Sequence, residues 1–286
     1  MKHGPQTIVF VTGAFVHHSC WNEWKTYFEG HGYTCLVPPW PYKNASVEEL
    51  RRRHPDARLA SLRLKQLVDS FADVIKQLPE KPILIGHSMG GLVTQLLLQR
   101  DVAAAGVAIH SVPPQGVFAF SWSFLRATWG PLGFLTNVNK TFLMSMRQWQ
   151  YAFTNGMLPA EQRATYEALV VPESKRVSRD GLTAAARVDF RRPHVPLLLV
   201  AGSDDHIMPA ALNRANFKRY AQGSGSVTDF KEFTGNNHLV LGLPTWRDVA
   251  DFIRQWLEQQ ALKQEPSRRP TEYLAPPRPG SSLRQY

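Results

Sequence analysis

Apolar residues along this chain gather in short runs that alternate with longer, more polar stretches. Six runs predict β-strands, at about 7–12, 33–37, 82–86, 105–109, 196–201 and 227–233. Helices are predicted between them, near 20–30, 60–78, 90–100, 209–221 and 245–260. The run at 196–201 has no polar residue, as in a strand that is covered on both faces. This alternation predicts an α/β fold, with a mainly parallel sheet of about six strands and helices on both faces.

Residues 113–194 do not follow this alternation, and we predict that they form an insertion between the fourth and fifth strands. Pro113-Pro114 and the segment from Pro193 to Pro196 mark its ends, because proline does not continue a helix or an inner strand. Between 113 and 158, aromatic residues are about twice as frequent as the 11% found over the whole chain. They predict either the insertion's own small core or an apolar wall over a pocket, and both can hold at once.

The last segment, 262–286, is rich in proline and arginine and poor in large apolar residues, which predicts an extended or disordered tail. The rest of the chain has the length of one α/β domain with an insertion. We therefore expect a core domain formed by 1–112 and 195–261, with the insertion at 113–194.

The formal net charge is +10, but the charge pattern does not indicate nucleic-acid binding. The basic clusters 51–53, 175–176 and 191–192 are not interleaved with aromatic residues. Cys20 and Cys35 match no metal-binding or redox spacing, although a single bridge between them stays open. The sequence shows no signal-peptide pattern and no apolar run of roughly 18 residues, which favours a cytoplasmic protein without a membrane span.

Residues 86–90 read Gly-His-Ser-Met-Gly and lie between the third predicted strand and the helix that follows it. This G-x-S-x-G sequence, in a strand–turn–helix context, predicts a nucleophile elbow with Ser88 at its apex. Such a turn strains the backbone at the serine, and its two glycines leave room for the neighbouring strand and helix. Ser88 is therefore the candidate nucleophile.

A serine hydroxyl needs a histidine that accepts its proton and a carboxylate that orients the histidine. With this elbow the order along the chain is serine, acid, histidine, so the partners are sought after the last two strands. The loop after the fifth strand contains Asp204 and Asp205, either of which could be the acid. The loop after the sixth strand contains His238, and His206 is interpreted as an ordinary loop residue.

With these residues the chain resembles the α/β-hydrolase fold family, as a serine esterase- or lipase-like member. In that family the acid commonly follows the glycine of such a loop by three residues and precedes its proline by four, which selects Asp205, between Gly202 and Pro209. The family histidine follows a Gly-x-x-His turn, which matches His238. The resemblance thus implies a catalytic triad of Ser88, Asp205 and His238.

The resemblance also implies an oxyanion hole formed by the backbone N–H groups of Met89 and Ala14. Relatives usually carry His-Gly before the second donor, where this chain has Thr12-Gly13, but the donor is a backbone group and its role can survive the change. Phe15 is the alternative donor if the loop is displaced by one residue. Possible substrate-pocket residues are Phe15, His17, His110 and Trp122.

The family further implies a helical cap at 113–194, over the active site, and a trimmed sheet of six strands, since two N-terminal strands that relatives often have are missing. The implied reaction is hydrolysis of a carboxylic ester through an acyl-enzyme. An apolar lid favours an ester with a hydrophobic acyl or alcohol part. The partner is then a small-molecule ester, and no metal ion or cofactor is implied.

Some family activities fit this sequence poorly. Dehalogenases and epoxide hydrolases have aspartate at the elbow, and hydroxynitrile lyases usually have lysine after the histidine, where this chain has Leu239. Thioesterases, lactonases, carbon–carbon bond hydrolases and cofactor-free haloperoxidases fit the same triad and stay open. A non-catalytic small-molecule receptor of the same fold is the alternative from another class.

Overall fold

The computed structural model describes residues 7–118, 121–133, 135–221 and 224–264. Within these segments one six-stranded sheet is formed by β1 (Thr7–Val11), β2 (Thr34–Leu36), β3 (Ile83–His87), β4 (Ala105–Ile109), β5 (Leu197–Gly202) and β6 (Thr228–Phe233). Neighbouring strands are parallel, in the order β2-β1-β3-β4-β5-β6. The predicted α/β class and six-stranded parallel sheet are confirmed.

The helices of the described residues are α1 (Asn22–Gly30), α2 (Val47–Arg52), α3 (Ala57–Ser61), α4 (Leu64–Ile75), α5 (Met89–Leu98), α6 (Trp122–Leu132), α7 (Met146–Ala152), α8 (Pro159–Leu169), α9 (Lys175–Asp180), α10 (Ala210–Ala221) and α11 (Trp246–Gln264). The predicted helices correspond to α1, α4, α5, α10 and α11. The prediction missed α2 and α3, which span only six and five residues and are too short for a clear apolar period.

The sheet is buried on both faces because its inner strands are apolar at successive positions. In β1, Val9 faces one apolar cluster, shared with α4, α5 and α10, and Phe10 faces a second, shared with α1 and α11. Side chains alternate between faces along a strand, so a shift by one residue would exchange the two sets. The edge strand β6 is only partly buried and has a more polar sequence.

The described residues between β4 and β5 contribute α6 to α9 and no strand of the sheet. Several of their side chains, Trp149, Phe153 and Val177 among them, join the same apolar cluster as α4 and α5. The described part of this segment therefore consists of short helices joined by loops, and it shares a core with the sheet. That it forms an insertion domain of its own stays a prediction. Helix α11 continues to Gln264, three residues into the segment predicted as a tail, and 265–286 lie outside the described residues.

Cys20 and Cys35 are free thiols, so the bridge that the sequence left open is not formed. Among the described helices, none combines the length and the apolar composition needed to cross a bilayer. The predicted cytoplasmic location stays a prediction.

Candidate active site

The turn between β3 and α5 places Ser88 at the carboxyl edge of the sheet. Its backbone has φ 57° and ψ −119°, a strained conformation for a residue with a Cβ. A Cβ at Gly86 would lie 2.1 Å from the backbone oxygen of Gly90, and a Cβ at Gly90 would lie 1.9 Å from that of Val11. The two glycines are thus required because the backbones approach so closely around the serine.

The structure brings Ser88, His238 and Asp205 together from three separate loops. His238 Nε2 lies 3.0 Å from Ser88 Oγ, and His238 Nδ1 lies 2.6 Å from Asp205 Oδ2. All three side chains are buried. With its proton on Nδ1, the imidazole donates to the carboxylate and presents Nε2 as an acceptor to the serine hydroxyl. This is the arrangement in which a histidine can take the proton of a nucleophile.

Asp205 is held by hydrogen bonds on both carboxylate oxygens. Oδ1 accepts from the backbone N–H groups of Ile207 at 2.9 Å and Met208 at 2.7 Å, and Oδ2 faces two histidines. Burial by itself raises the pKa of Asp205, but His238 and the hydrogen bonds of both histidines outweigh it and hold the pKa well below its usual range. The carboxylate is therefore ionised at neutral pH.

The alternative acid, Asp204, is exposed, and its side chain forms no hydrogen bond with a histidine among the described residues. Its Oδ1 accepts a hydrogen bond of 2.6 Å from the hydroxyl of Ser203. The geometry therefore favours Asp205 over Asp204 as the acid.

The second histidine on Asp205 is His110, which the sequence placed as a possible pocket residue. Its Nδ1 lies 2.8 Å from Asp205 Oδ2 and its side chain is fully buried, behind the carboxylate and not in the lining of the cavity. Burial lowers the pKa of His110, although the bond to Asp205 opposes the shift. The ring is thus neutral, and its Nδ1–H donates to the carboxylate.

His87, which precedes Ser88 in the elbow, contacts the loop of His238. Its Nε2–H donates to the backbone carbonyl of His238 at 2.8 Å. Burial first, and then the neighbouring His238 and His110, place the pKa of His87 well below its usual value. Ring nitrogens of the three histidines lie within 4.8 Å of one another, the one such group of possible metal ligands among the described residues. Both ring nitrogens of His238 are engaged, so a metal ion here would displace its contact with Ser88 or with Asp205.

The loop after β1 supplies the candidate oxyanion donors. Ala14 and Met89 both line the cavity beside Ser88, and no hydrogen bond within the described residues uses either N–H. The N–H of Phe15, the alternative donor, instead lies 3.3 Å from Glu173 Oε2. This engagement favours Ala14 over Phe15 as the partner of Met89.

The same loop is fixed by a buried ion pair that the sequence did not reveal. Lys43 Nζ lies 2.7 Å from Glu173 Oε2, and the two side chains are 3% and 0% exposed. Lys43 also donates to the carbonyl of Val16 at 3.3 Å, and the N–H of Val171 donates to the carbonyl of Phe15 at 2.9 Å. Phe15 has φ 69°, so these contacts hold a strained backbone beside the candidate oxyanion donor.

A cavity of about 760 Å³ opens beside Ser88. Its walls come from the sheet domain and from the segment between β4 and β5, and they are mostly apolar: Phe15, Met89, Val112, Phe124, Leu182, Val188, Phe190 and Leu212 are among them. Concave apolar sites of this size are typical of small-molecule binding. Phe15 lies in the wall, where the sequence had placed it.

Two other predicted pocket residues do not line this cavity. Both ring nitrogens of His17 are in hydrogen-bond contact with other residues: Nδ1 lies 2.8 Å from Ser19 Oγ, and Nε2 lies 3.0 Å from the carbonyl oxygen of Ala45. Trp122 begins α6, and its side chain is 76% exposed, whereas Phe124 and Thr128 of the same helix line the cavity. The helix that Trp122 begins thus contributes to the cavity wall through other residues.

Comparison with known proteins gives the class. The alpha/beta hydrolase family model matches residues 8–254, so the chain belongs to this family. An esterase/lipase of Mycoplasma pneumoniae is 34% identical over 98 residues, which are 34% of this chain and 32% of that protein. The matched part thus spans about a third of that relative's length.

Solved structures show the same fold at low sequence identity. A monoacylglycerol lipase of Paleococcus ferrophilus is 18% identical with a TM-score of 0.62, over 90% of this chain and 96% of that chain. An extracellular alpha/beta-hydrolase of a Paenibacillus species is 19% identical with a TM-score of 0.64, over 88% of this chain and 98% of that chain.

Proposed function

We propose that this protein is a serine hydrolase that cleaves carboxylic esters with a hydrophobic acyl or alcohol part, through an acyl-enzyme on Ser88. The observation that carries the proposal is the 3.0 Å contact between His238 Nε2 and Ser88 Oγ, with Asp205 on the other side of the ring. Membership of the alpha/beta hydrolase family and the names of its esterase and lipase relatives support it.

In the first half-reaction, Ser88 Oγ attacks the carbonyl carbon of the ester while His238 Nε2 takes the hydroxyl proton. The carbonyl oxygen becomes an oxyanion, which accepts hydrogen bonds from the N–H groups of Ala14 and Met89. Asp205 stabilises the imidazolium that has formed. The bond to the alkoxy oxygen then breaks, and His238 gives its proton to the leaving alcohol.

In the second half-reaction, water attacks the acyl carbon and His238 takes a proton from it. The second oxyanion collapses, the bond to Ser88 Oγ breaks, and the serine regains a proton from His238. The products are a carboxylic acid and the regenerated triad. A thioester or a lactone would pass through the same steps with a thiol or a tethered hydroxyl as the leaving group. No step uses a metal ion or a cofactor.

The apolar cavity supports a hydrophobic substrate, because an acyl chain or alcohol that fills it removes apolar surface from water. Residues 113–194 would act as its lid, since Phe124, Leu182 and Val188 of this segment line the cavity together with Ser88. The partner is accordingly a small-molecule ester, and we place the reaction in the cytoplasm.

The test is hydrolysis of p-nitrophenyl esters from acetyl to palmitoyl by the parent and by Ser88→Ala. Ser178→Ala is the matched control, because Ser178 lines the same cavity but has no role in the proposed reaction. We expect Ser88→Ala to lose at least about three orders of magnitude in kcat, with Ser178→Ala close to the parent. A maximum at medium or long chains supports the hydrophobic substrate, and a maximum at acetyl overturns that part.

A fluorophosphonate distinguishes the other outcomes, because it labels a serine only where the triad activates it. Labelling of Ser88 without ester turnover would direct the search to thioesters, lactones or carbon–carbon bonds. If a folded protein shows neither labelling of Ser88 nor ester turnover, the result would favour a non-catalytic small-molecule receptor.

A further inference from the structure

The cavity beside Ser88 has an uneven distribution of charge. Of the described residues that line it, two have charged side chains, and both are arginines, Arg187 and Arg219. Neither an aspartate nor a glutamate is among those lining residues. Both arginines are exposed, which places them at the mouth of the cavity. The cavity thus combines apolar walls with a positive rim.

Arg219 is fixed at this rim by two neighbours that also line the cavity. Its Nη1 donates to the carbonyl of Gly116 at 3.1 Å, and its guanidinium carbon lies 4.9 Å from the centre of the Phe190 ring. A guanidinium has five N–H donors, so this contact leaves others for a ligand. A positioned guanidinium loses less freedom on binding an anion than a mobile one.

The backbone next to Arg187 contacts the same stretch of chain. Arg187 follows Ala186, whose carbonyl accepts a hydrogen bond of 2.9 Å from the N–H of Gln115, next to Gly116. Arg187 and the guanidinium of Arg219 therefore both belong to the part of the cavity lining next to residues 115–116.

Neither arginine has a carboxylate partner within the described part of the chain. Arg214, on the same helix as Arg219, differs, since it forms an ion pair of 2.5 Å with Glu232. A guanidinium without a carboxylate partner at the rim of an apolar cavity favours a bound anion. A carboxylate is a group whose two oxygens match the guanidinium geometry, and it is the anionic group that a hydrophobic ester can carry at its far end.

We propose that the substrate carries a carboxylate at the end of its hydrophobic part that is remote from the ester, and that Arg187 and Arg219 bind this group. This inference rests on the proposed ester hydrolysis. The ester carbonyl lies at Ser88, the chain runs along the apolar walls, and the carboxylate meets the arginines at the rim. The substrate class is therefore the half-esters of dicarboxylic acids and related anionic esters.

The test compares two methyl esters with the same eight-carbon acyl chain, methyl hydrogen suberate and methyl octanoate. The parent is expected to prefer the half-ester in kcat/KM, although the neutral ester is the more hydrophobic. Arg187→Gln and Arg219→Gln are each expected to lower kcat/KM for the half-ester about fivefold, the scale of a partly exposed charge pair. The kcat/KM for methyl octanoate should change less than about twofold in these variants. Added salt should weaken the preference of the parent for the half-ester.

Arg214→Gln is the matched control, since it removes an arginine of the same helix that does not line the cavity. It should leave the preference at its parent value. Equal losses on both esters in the Arg187 and Arg219 variants, or a parent that prefers methyl octanoate, would overturn the proposal.

Binding separates this proposal from the proposed reaction. In Ser88→Ala, calorimetry with methyl hydrogen suberate measures the affinity without turnover. If adding Arg187→Gln or Arg219→Gln to Ser88→Ala weakens binding, the result supports the anion site. This holds even if the parent hydrolyses neither ester, a result that would overturn only the proposed ester hydrolysis. Affinity that is the same with and without the arginines overturns the anion site.

Discussion

His110 and Asp205 are joined by a hydrogen bond of 2.8 Å that ends on Oδ2, the same carboxylate oxygen that faces His238. Two imidazoles therefore share one oxygen of the candidate catalytic acid. The bond from His110 draws electron density from this oxygen and fixes the plane of the carboxylate. His110 is thus a positioning residue, which would act on the reaction through Asp205.

We expect His110→Phe, which keeps a ring but removes the donor, to lower kcat about tenfold. Without this donor the carboxylate would hold the protonated ring of His238 more strongly, so the acid limb of the kcat/KM profile should move to higher pH. His110→Asn, which restores an N–H donor, should move the limb back. A lower kcat with an unchanged pH profile in both variants would mean that His110 only packs against the triad.

Acid should weaken the fold in the range where the buried histidines become charged on unfolding. The pKa of His87 in the folded protein lies well below its usual value, because burial and the neighbouring histidines disfavour the charged ring. The unfolded chain then binds more protons below about pH 6.5, so the free energy of unfolding is highest above this pH and falls as the pH drops. Asp205 has a lowered pKa, so its contribution is lost only below about pH 4, outside this range.

We expect the contribution of His87 to the free energy of unfolding to fall by about 2 kcal/mol between pH 7 and pH 5. His87→Gln keeps a donor toward the carbonyl of His238. Between pH 7 and pH 5, its free energy of unfolding should therefore fall by about 2 kcal/mol less than that of the parent. Urea unfolding at the two pH values measures it, with equal m-values as the check that the same transition is compared. Parallel losses in parent and variant would contradict the prediction.

The sequence was informative where a constraint is local and less so where it is not. The elbow was predictable because Gly86, Ser88 and Gly90 lie within one turn, and the loops of Asp205 and His238 follow strands that apolar runs reveal. The buried pair of Lys43 and Glu173 was missed because 130 residues separate them and neither lies in an apolar pattern. Their burial depends on how the segment between β4 and β5 folds back on the loop after β1.

The pair of Lys43 and Glu173 should control both stability and catalysis, and two double variants separate these roles. Glu173→Gln alone leaves Lys43 buried without a charge partner, which should cost about 3–5 kcal/mol. Lys43→Met combined with Glu173→Gln removes both charges and keeps an acceptor for the N–H of Phe15. This double variant should recover most of the stability and a kcat close to the parent.

Lys43→Met combined with Glu173→Leu also removes both charges, but it leaves the N–H of Phe15 without its acceptor. The loop that presents the N–H of Ala14 should then become more mobile. We expect kcat to fall about tenfold with little change in KM, which is less than the fall in kcat expected when an oxyanion donor is removed altogether. Urea unfolding and steady-state kinetics measure the two effects. Equal kcat values in the two double variants would show that Glu173 does not position this loop.

The mouth of the cavity should set the longest ester that the enzyme accepts. Leu182 lines the cavity, and its side chain is 50% exposed, so a larger residue fits there without overpacking the core. Leu182→Trp should lower kcat/KM for the longest p-nitrophenyl esters while the short ones change little, because the indole narrows the exit for the chain end. Leu262→Trp, at a site 70% exposed on α11, is the matched control and should leave the profile unchanged. If both variants keep the parent profile, long chains do not leave the cavity past Leu182.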